Sequence, residues 1–202
     1  MKKIKVRILY ALYSVKSFWY RLRGIRVGKK CFISAWPHIH KHKNAEILIG
    51  NNVTIHSKKK YNRLITHPTT LSTEAPGAKI ELKDNCGISG STLICTKHIS
   101  IGRYTIVGAG TVIHDCKAHE YSPKCGWMNC GKREGKPIII GERCYIGMNC
   151  IILKGVTIGD NCVISAGTII KEDVPAGHLA QGNPPVYTPL PAHLLLKPKL
   201  HS

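Results

Sequence analysis

Residues 140–175 divide into six consecutive units of six: IGERCY, IGMNCI, ILKGVT, IGDNCV, ISAGTI and IKEDVP. Ile140, Ile146, Ile152, Ile158, Ile164 and Ile170 hold one phase, and four places after each stand Cys144, Cys150, Val156, Cys162, Thr168 and Val174, all small. A period of six is neither that of a helix nor the simple alternation of a free strand. It fits a short strand followed by a turn, with the large β-branched residue and the small one both pointing inward and glycine at the bend. Three such units close a triangular coil, and stacked coils pair their backbones along the axis. Ordinary β-hairpins would not keep one register over this length.

The phase continues upstream through Leu82, Ile88 and Ile94, then, after one extra residue, through Ile101, Val107 and Ile113. VGKKCF at 27–32 and IGNNVT at 49–54 are isolated units nearer the start. The expected organisation is a basic amphipathic helix over 1–24, a coiled β-domain over 25–178 and a tail over 179–202. Cys31, Cys86, Cys144, Cys150 and Cys162 fall on the small inward position and read as core residues. Nine cysteines, with no C-x-x-C pair among them, point to a reducing cytoplasm rather than secretion.

The register breaks only between Ile113 and Ile138, where HDCKAHEYSPKCGWMNCGKREGKP intervenes. A long loop thrown out of a regular scaffold is usually functional, and this one, over 114–137, holds His114, Asp115, His119, Glu120 and Trp127.

The six-residue pattern resembles the hexapeptide-repeat family, which implies a left-handed parallel β-helix, an exception to the usual crossover hand. The expected fold class is therefore all-β, a left-handed parallel β-helix with an N-terminal amphipathic helix and one long active-site loop. The order Asp115, His119, Gly135 to Pro137, Ile140 to Gly147, Lys171 to Pro175 and Gly182 to Pro184 is similar to one branch, the acetyl-CoA-dependent sugar O-acetyltransferases of the galactoside, maltose and surface-polysaccharide type. That resemblance implies a homotrimer, acetyl-CoA as co-substrate and no metal, a sugar or glycan acceptor, and His119 as catalytic base. A histidine suits the role, because the acceptor hydroxyl must lose its proton as oxygen attacks the thioester carbonyl. The resemblance also implies the Met148 amide, just after Gly147, as oxyanion donor, and a cofactor groove along Tyr145, Gly147, Met148, Ala166 and Lys171. Val186 and Pro189 stand where basic residues commonly follow the G-N-P turn, so Lys154, Lys171 or a neighbouring subunit would have to hold the cofactor phosphates. Ser89, Asp115 and Trp127 are the candidates for acceptor contact.

Other classes fit less of the sequence. An amino-sugar N-acetyltransferase would use the same base on an amine. In serine acetyltransferases a G-D-R-H-P-like segment precedes the later coils, and Gly131 to Pro137 has no His. A γ-carbonic-anhydrase-like zinc site would take His114 and His119 but needs a third histidine where Ala78 stands. The set Cys116, His119, Cys125 and Cys130 matches no usual zinc spacing. A non-enzymatic nucleic-acid module would leave the loop motif unexplained and shows no recognition motif.

Of 30 Lys and Arg, 16 lie in residues 1–63, where Glu46 is the only acid. Subtracting gives +15 there and, from 14 basic and 10 acidic residues, +4 for the remaining 139. Ile4, Ile8, Ala11, Leu12, Val15, Phe18, Trp19 and Leu22 form one helical stripe between basic flanks, with Gly24 as a stop. A signal peptide is disfavoured because no A-x-A site follows. The stripe fits either protein packing or peripheral contact with the anionic inner face of a membrane.

Overall fold

The computed structural model describes residues 16–117, 119, 134–192 and 195. Short strands wind into a left-handed β-helix with three flat faces. The first sheet stacks Arg26–Val27, Glu46–Ile49, Lys79–Leu82, His98–Ile101, Ile138–Ile140 and Thr157–Ile158. The second stacks Phe32–Ser34, Thr54–His56, Gly87–Ser89, Ile106–Val107, Tyr145–Ile146, Val163–Ile164 and His178–Gln181, with Val186–Pro189 added antiparallel at its edge. The third stacks His38–Lys41, Thr70–Thr73, Thr92–Cys95, Val112–His114, Ile151–Leu153 and Ile169–Ile170. All other pairings within these sheets are parallel, and registers such as Leu82 with Ile101, Ile101 with Ile140 and Ile140 with Ile158 place the repeating aliphatic residue directly over its counterpart.

Inside the prism, Ile140, Ile146, Ile152, Ile158, Ile164 and Ile170 are all buried, and the small position explains itself chemically. The thiols of Cys31, Cys144, Cys150 and Cys162 donate to carbonyls of the neighbouring coil, those of Gly50, Gly159, Ser165 and Pro175, at 3.0 to 3.2 Å. Thr105 and Thr111 do the same to Gly141 and Gly147 at 2.7 and 2.8 Å. Cysteine and threonine thus interchange as small donors to a corner carbonyl. At several corners an asparagine takes the left-handed conformation, with φ of 54°, 62°, 55° and 56° at Asn52, Asn85, Asn149 and Asn161. Asparagine tolerates that region better than most side chains.

The pattern slips in three places. Leu93, not Ile94, points inward and pairs with Leu71 and Ile113. The coil loses one residue between Ile88 and Leu93, turning at Gly90 with φ 51°, which flips the alternation. The loop after Ile113 is not the only break, since residues 57–69 leave the helix between the second and third sheets. Thr69 Oγ1 closes that excursion on the carbonyl of His56 at 2.8 Å. The coils also continue past residue 178, into the His178–Gln181 and Val186–Pro189 strands. Asn183 pins this end, accepting from the Ile169 amide at 2.7 Å and donating to the Gly167 carbonyl at 2.9 Å.

The lower end is closed by a helix whose described part spans 16–22; residues 1–15 of the expected helix lie outside the described residues. Tyr20 is 1 % exposed and joins the core cluster with Ile25, Val27, Cys31 and Ile33, so it plugs the open end of the solenoid, as capping elements of stacked repeats must. The residues of the expected stripe, Phe18, Trp19 and Leu22, instead face outward. Burial pushes the Tyr20 phenol up to about 12, and its hydroxyl has no partner among the described residues. Tyr20→Ala is therefore expected to cost about 3–5 kcal/mol in denaturant unfolding. Tyr20→Phe, which removes only an unsatisfied hydroxyl, should leave the midpoint unchanged or raise it.

Candidate functional site

The long loop leaves the third sheet after His114 and re-enters the first at Ile138. Both of its ends are held by Asp115. Its Oδ1 accepts from the Thr96 amide at 2.7 Å and the Thr96 hydroxyl at 2.8 Å. Its Oδ2 accepts from the amides of Lys97 and His98 at 2.7 and 2.9 Å and from the Cys95 thiol at 3.4 Å. The Asp115 carbonyl then receives the Lys136 amide at 2.7 Å, which closes the returning strand onto the departing one. Gly135 has no alternative here, because a Cβ would run into Thr96 Oγ1. Burial, and then the charge of Asp115, push the Cys95 thiol up.

This geometry corrects one expectation. Asp115 is fully buried with its carboxylate committed to the preceding coil, so it anchors the loop and does not face an acceptor. His119, four residues on, is exposed. Glu120 and Trp127 lie outside the described residues, as do Cys125 and Cys130. Among the described residues no three His, Cys, Asp or Glu side chains cluster as a metal site would require.

The remaining predicted residues, apart from Lys171, gather along the corner between the second and third sheets. Strand register stacks Ser34, His56, Ser89, Gly108, Gly147 and Ser165 in one column, each residue following the matched pair before it. Successive members lie about 4.8 Å apart, the usual spacing of paired strands. Glycine is needed at the middle of this column because a Cβ on Gly108 would meet the Gly147 carbonyl carbon and the Met148 amide nitrogen at 2.7 Å. Met148 accepts from the Gly167 amide at 2.8 Å, which brings it over Ala166, and Ala166 is exposed. Tyr145 stands beside them on the second sheet, 52 % exposed. Lys171 is exposed at a different corner, after the third sheet, as is the departing loop. Within one chain the whole third face separates the loop's point of departure from Met148 and Ala166.

Residues 137–172 match the family model described as "Hexapeptide repeat of succinyl-transferase". Over these residues the chain is similar to the hexapeptide-repeat family. It is 44% identical over 88 residues to YvoF of Bacillus subtilis (strain 168), named as a candidate acetyltransferase, a match covering 43% of this chain and 44% of that one. It is 37% identical over 108 residues to nodulation protein L of Rhizobium leguminosarum bv. viciae, covering 54% and 53%. The chain thus spans about half the length of the curated relatives it matches. Among solved structures, the Bacillus cereus N-acyltransferase AntD, in complex with dTDP and 3-hydroxybutyryl-CoA, superposes with a TM-score of 0.65 over 86% of this chain and 87% of that one. At 18% identity, that likeness shows a shared fold.

One feature of this protein escaped the sequence. At the lower end of the corner column a cavity of about 270 Å³ is lined by His56, Ser89, Thr54, Asn85, Gly87 and Ile106. It exists because Gly87 leaves a gap between Thr54 and Ile106 on the second sheet. The His56 ring stacks on Tyr61 at 5.7 Å, and its Nδ1 lies 3.4 Å from Ser34 Oγ. Burial pulls its pKa down, which favours the neutral ring.

Proposed function

We propose that this chain is an acetyl-CoA-dependent acetyltransferase whose acceptor is a sugar hydroxyl, in surface glycan synthesis, with His119 as general base. The observation that carries the reading is the corner column, where an open edge past Met148 and Ala166 runs down into the Ser89 and His56 cavity. An extended thioester arm fits such an edge, and a small cavity at its end, edged by Ser89, His56 and Asn85, suits one sugar ring rather than a chain of them. Ser89 and His56 would meet the acceptor, and Trp127 remains a proposed contact from the loop. Tyr145, Gly147, Met148 and Ala166 would line the cofactor groove, and Lys171, at the corner after the third sheet, would reach its phosphates from a neighbouring subunit. The Met148 amide, which has no acceptor among the described residues, would donate to the oxyanion.

No metal is required, because the histidine supplies the proton acceptor and the amide the charge stabilisation. The root of the loop that carries His119 and the corner column lie on opposite edges of one face, so the complete site is read as shared between subunits of a homotrimer. The apolar side chains Ile106 and Tyr145 on the second face, and Ile151, Leu153 and Ile169 on the third, are exposed in the single chain and would be covered by that packing. A reducing, cytoplasmic setting suits the free, buried thiols of Cys31, Cys86, Cys95, Cys144, Cys150 and Cys162.

The test is acetyl-CoA turnover across a panel of sugars, amino sugars and nucleotide sugars. Hydroxyl acceptors are expected to support turnover that Ala166→Trp abolishes by filling the groove. Turnover confined to amino sugars would replace O-transfer by N-transfer, and none with any acceptor would overturn the reading.

A further inference from the structure

The helix that plugs the solenoid has its apolar side facing the wrong way for a soluble cap. With Tyr20 inward, Phe18, Trp19, Leu22 and Trp36 are 60 %, 38 %, 70 % and 53 % exposed. They form one patch, since the rings of Trp19 and Trp36 meet edge to face at 5.2 Å and the helix packs Tyr20 against Trp36 at 6.1 Å. Cations surround it. Arg23 lies over Trp19 at 4.2 Å and Lys16 over Trp36 at 5.2 Å. The 57–69 excursion is close by, because Tyr61 packs edge to face on Phe32 at 5.5 Å and Lys16 Nζ donates to the carbonyl of Ala35, three residues on, at 2.9 Å. That excursion exposes Lys58, Lys59, Lys60 and Arg63 beside Leu64. A groove of about 260 Å³ on the other side is lined by Arg23, His40 and Lys41 with Ile25 and Ile39. Glu46, the one acid among the first 63 residues, is already paired with Arg26 at 2.7 Å.

We propose that this face docks on an anionic lipid bilayer. Phe18, Trp19, Leu22 and Trp36 enter the headgroup region, and the lysines and arginines lie over lipid phosphates. Aromatic and aliphatic side chains within a cationic rim are the composition of an interfacial anchor. Charge argues against a second copy of this chain as the occupant, since two such rims would repel. The aliphatic side chains of Leu22 and Leu64 argue against single-stranded nucleic acid, which is bound on flat stacking rings. No helix among the described residues is long and apolar enough to cross a membrane, so the contact is peripheral.

The test uses the full chain carrying Trp127→Phe, which leaves Trp19 and Trp36 as the only tryptophans. Vesicles of phosphatidylcholine alone are compared with vesicles that also contain phosphatidylglycerol. Expected are co-sedimentation and a blue-shifted emission only with phosphatidylglycerol, lost at high salt, with quenching by bromines placed high on the acyl chains. Removing the three charges with Lys58→Ala, Lys59→Ala and Lys60→Ala should weaken binding on the order of fivefold per lysine. Phe18→Ser with Leu22→Ser should weaken it while circular dichroism is unchanged, because both side chains point outward. Any of four results overturns the proposal: no binding to anionic vesicles, equal binding to neutral ones, indifference to both sets of substitutions, or a blue shift that follows protein concentration without lipid. The last would make the face a subunit interface. Binding of single-stranded DNA that displaces the vesicles and is insensitive to Phe18→Ser would likewise count against it.

Discussion

Replacing His119 by alanine is expected to lower kcat for acetyl transfer about 10²–10⁴-fold, the usual contribution of a positioned general base. A sugar hydroxyl is a poor nucleophile until its proton has a destination, and His119 is the exposed histidine among the described residues of the loop. Because His119 is exposed and no core contact depends on it, the variant should keep the wild-type unfolding midpoint and its affinity for CoA. The geometry adds a sharper expectation. The loop departs from the corner after the third sheet, whereas Met148 and Ala166 occupy the corner before it. If a site takes its base from one subunit and its groove from the next, two dead variants should rescue each other. His119→Ala subunits still present an intact groove, and Ala166→Trp subunits still present an intact base. Mixed at equal amounts and reassembled as trimers, they should regain about a quarter of the wild-type sites, because one ordered pairing in four is intact at a closed cyclic interface. A mixture as inactive as its parents would place base and groove in the same chain. An alanine variant with full turnover would remove His119 from the mechanism.

How much of this was legible beforehand depended on the range over which each constraint acts. Ile140 to Ile170 could be read at once because each inward residue meets the same requirement at the same interval. Leu93 could not, since it stands beside an equally apolar Ile94 and only the shortened corner at Gly90 chooses between them. The outward face of the helix was equally hidden. A stripe of Phe18, Trp19 and Leu22 has the same periodicity whether it meets protein, lipid or water, and it was the bulk of Tyr20 that filled the end of the prism. His56 and Ser89 sit side by side in register but 33 residues apart, a full coil plus the unrecognised 57–69 excursion. Asp115 was noticed for the right reason, its place at the root of the loop, and given the wrong task. Its partners, Cys95 to His98, belong to the preceding coil, and linear spacing does not reveal which way a carboxylate turns.

That anchoring role makes Asp115 the residue whose loss should be most costly to the fold. Asp115→Ala would strand the amides of Thr96, Lys97 and His98, together with the Thr96 hydroxyl, around the place of a carboxylate that is itself fully buried. Each orphaned donor costs about 1–3 kcal/mol, and water entering the small space left by the carboxyl group offsets part of that. A loss of about 4–6 kcal/mol is therefore expected in denaturant unfolding, well above the ordinary effect of one substitution. Asp115→Asn should recover less than its shape suggests, because one of the two accepting oxygens becomes a donor aimed at the Lys97 and His98 amides or at Thr96. The Thr96 hydroxyl provides the internal control. Thr96→Ala alone removes one donor from a satisfied carboxylate, but in the Asp115→Ala background it removes a group that has already lost its acceptor, so the two costs should fall short of additivity. Activity should fall further than stability alone explains under conditions where the variant is still folded. The Asp115 carbonyl also closes the loop onto Lys136, and His119 lies only four residues along a segment whose root would have shifted. A displacement of about an ångström at a catalytic base is enough for roughly a hundredfold loss in rate. If Asp115→Ala unfolded at the wild-type midpoint, the buried carboxylate would not be what ties the loop to the coil beneath it.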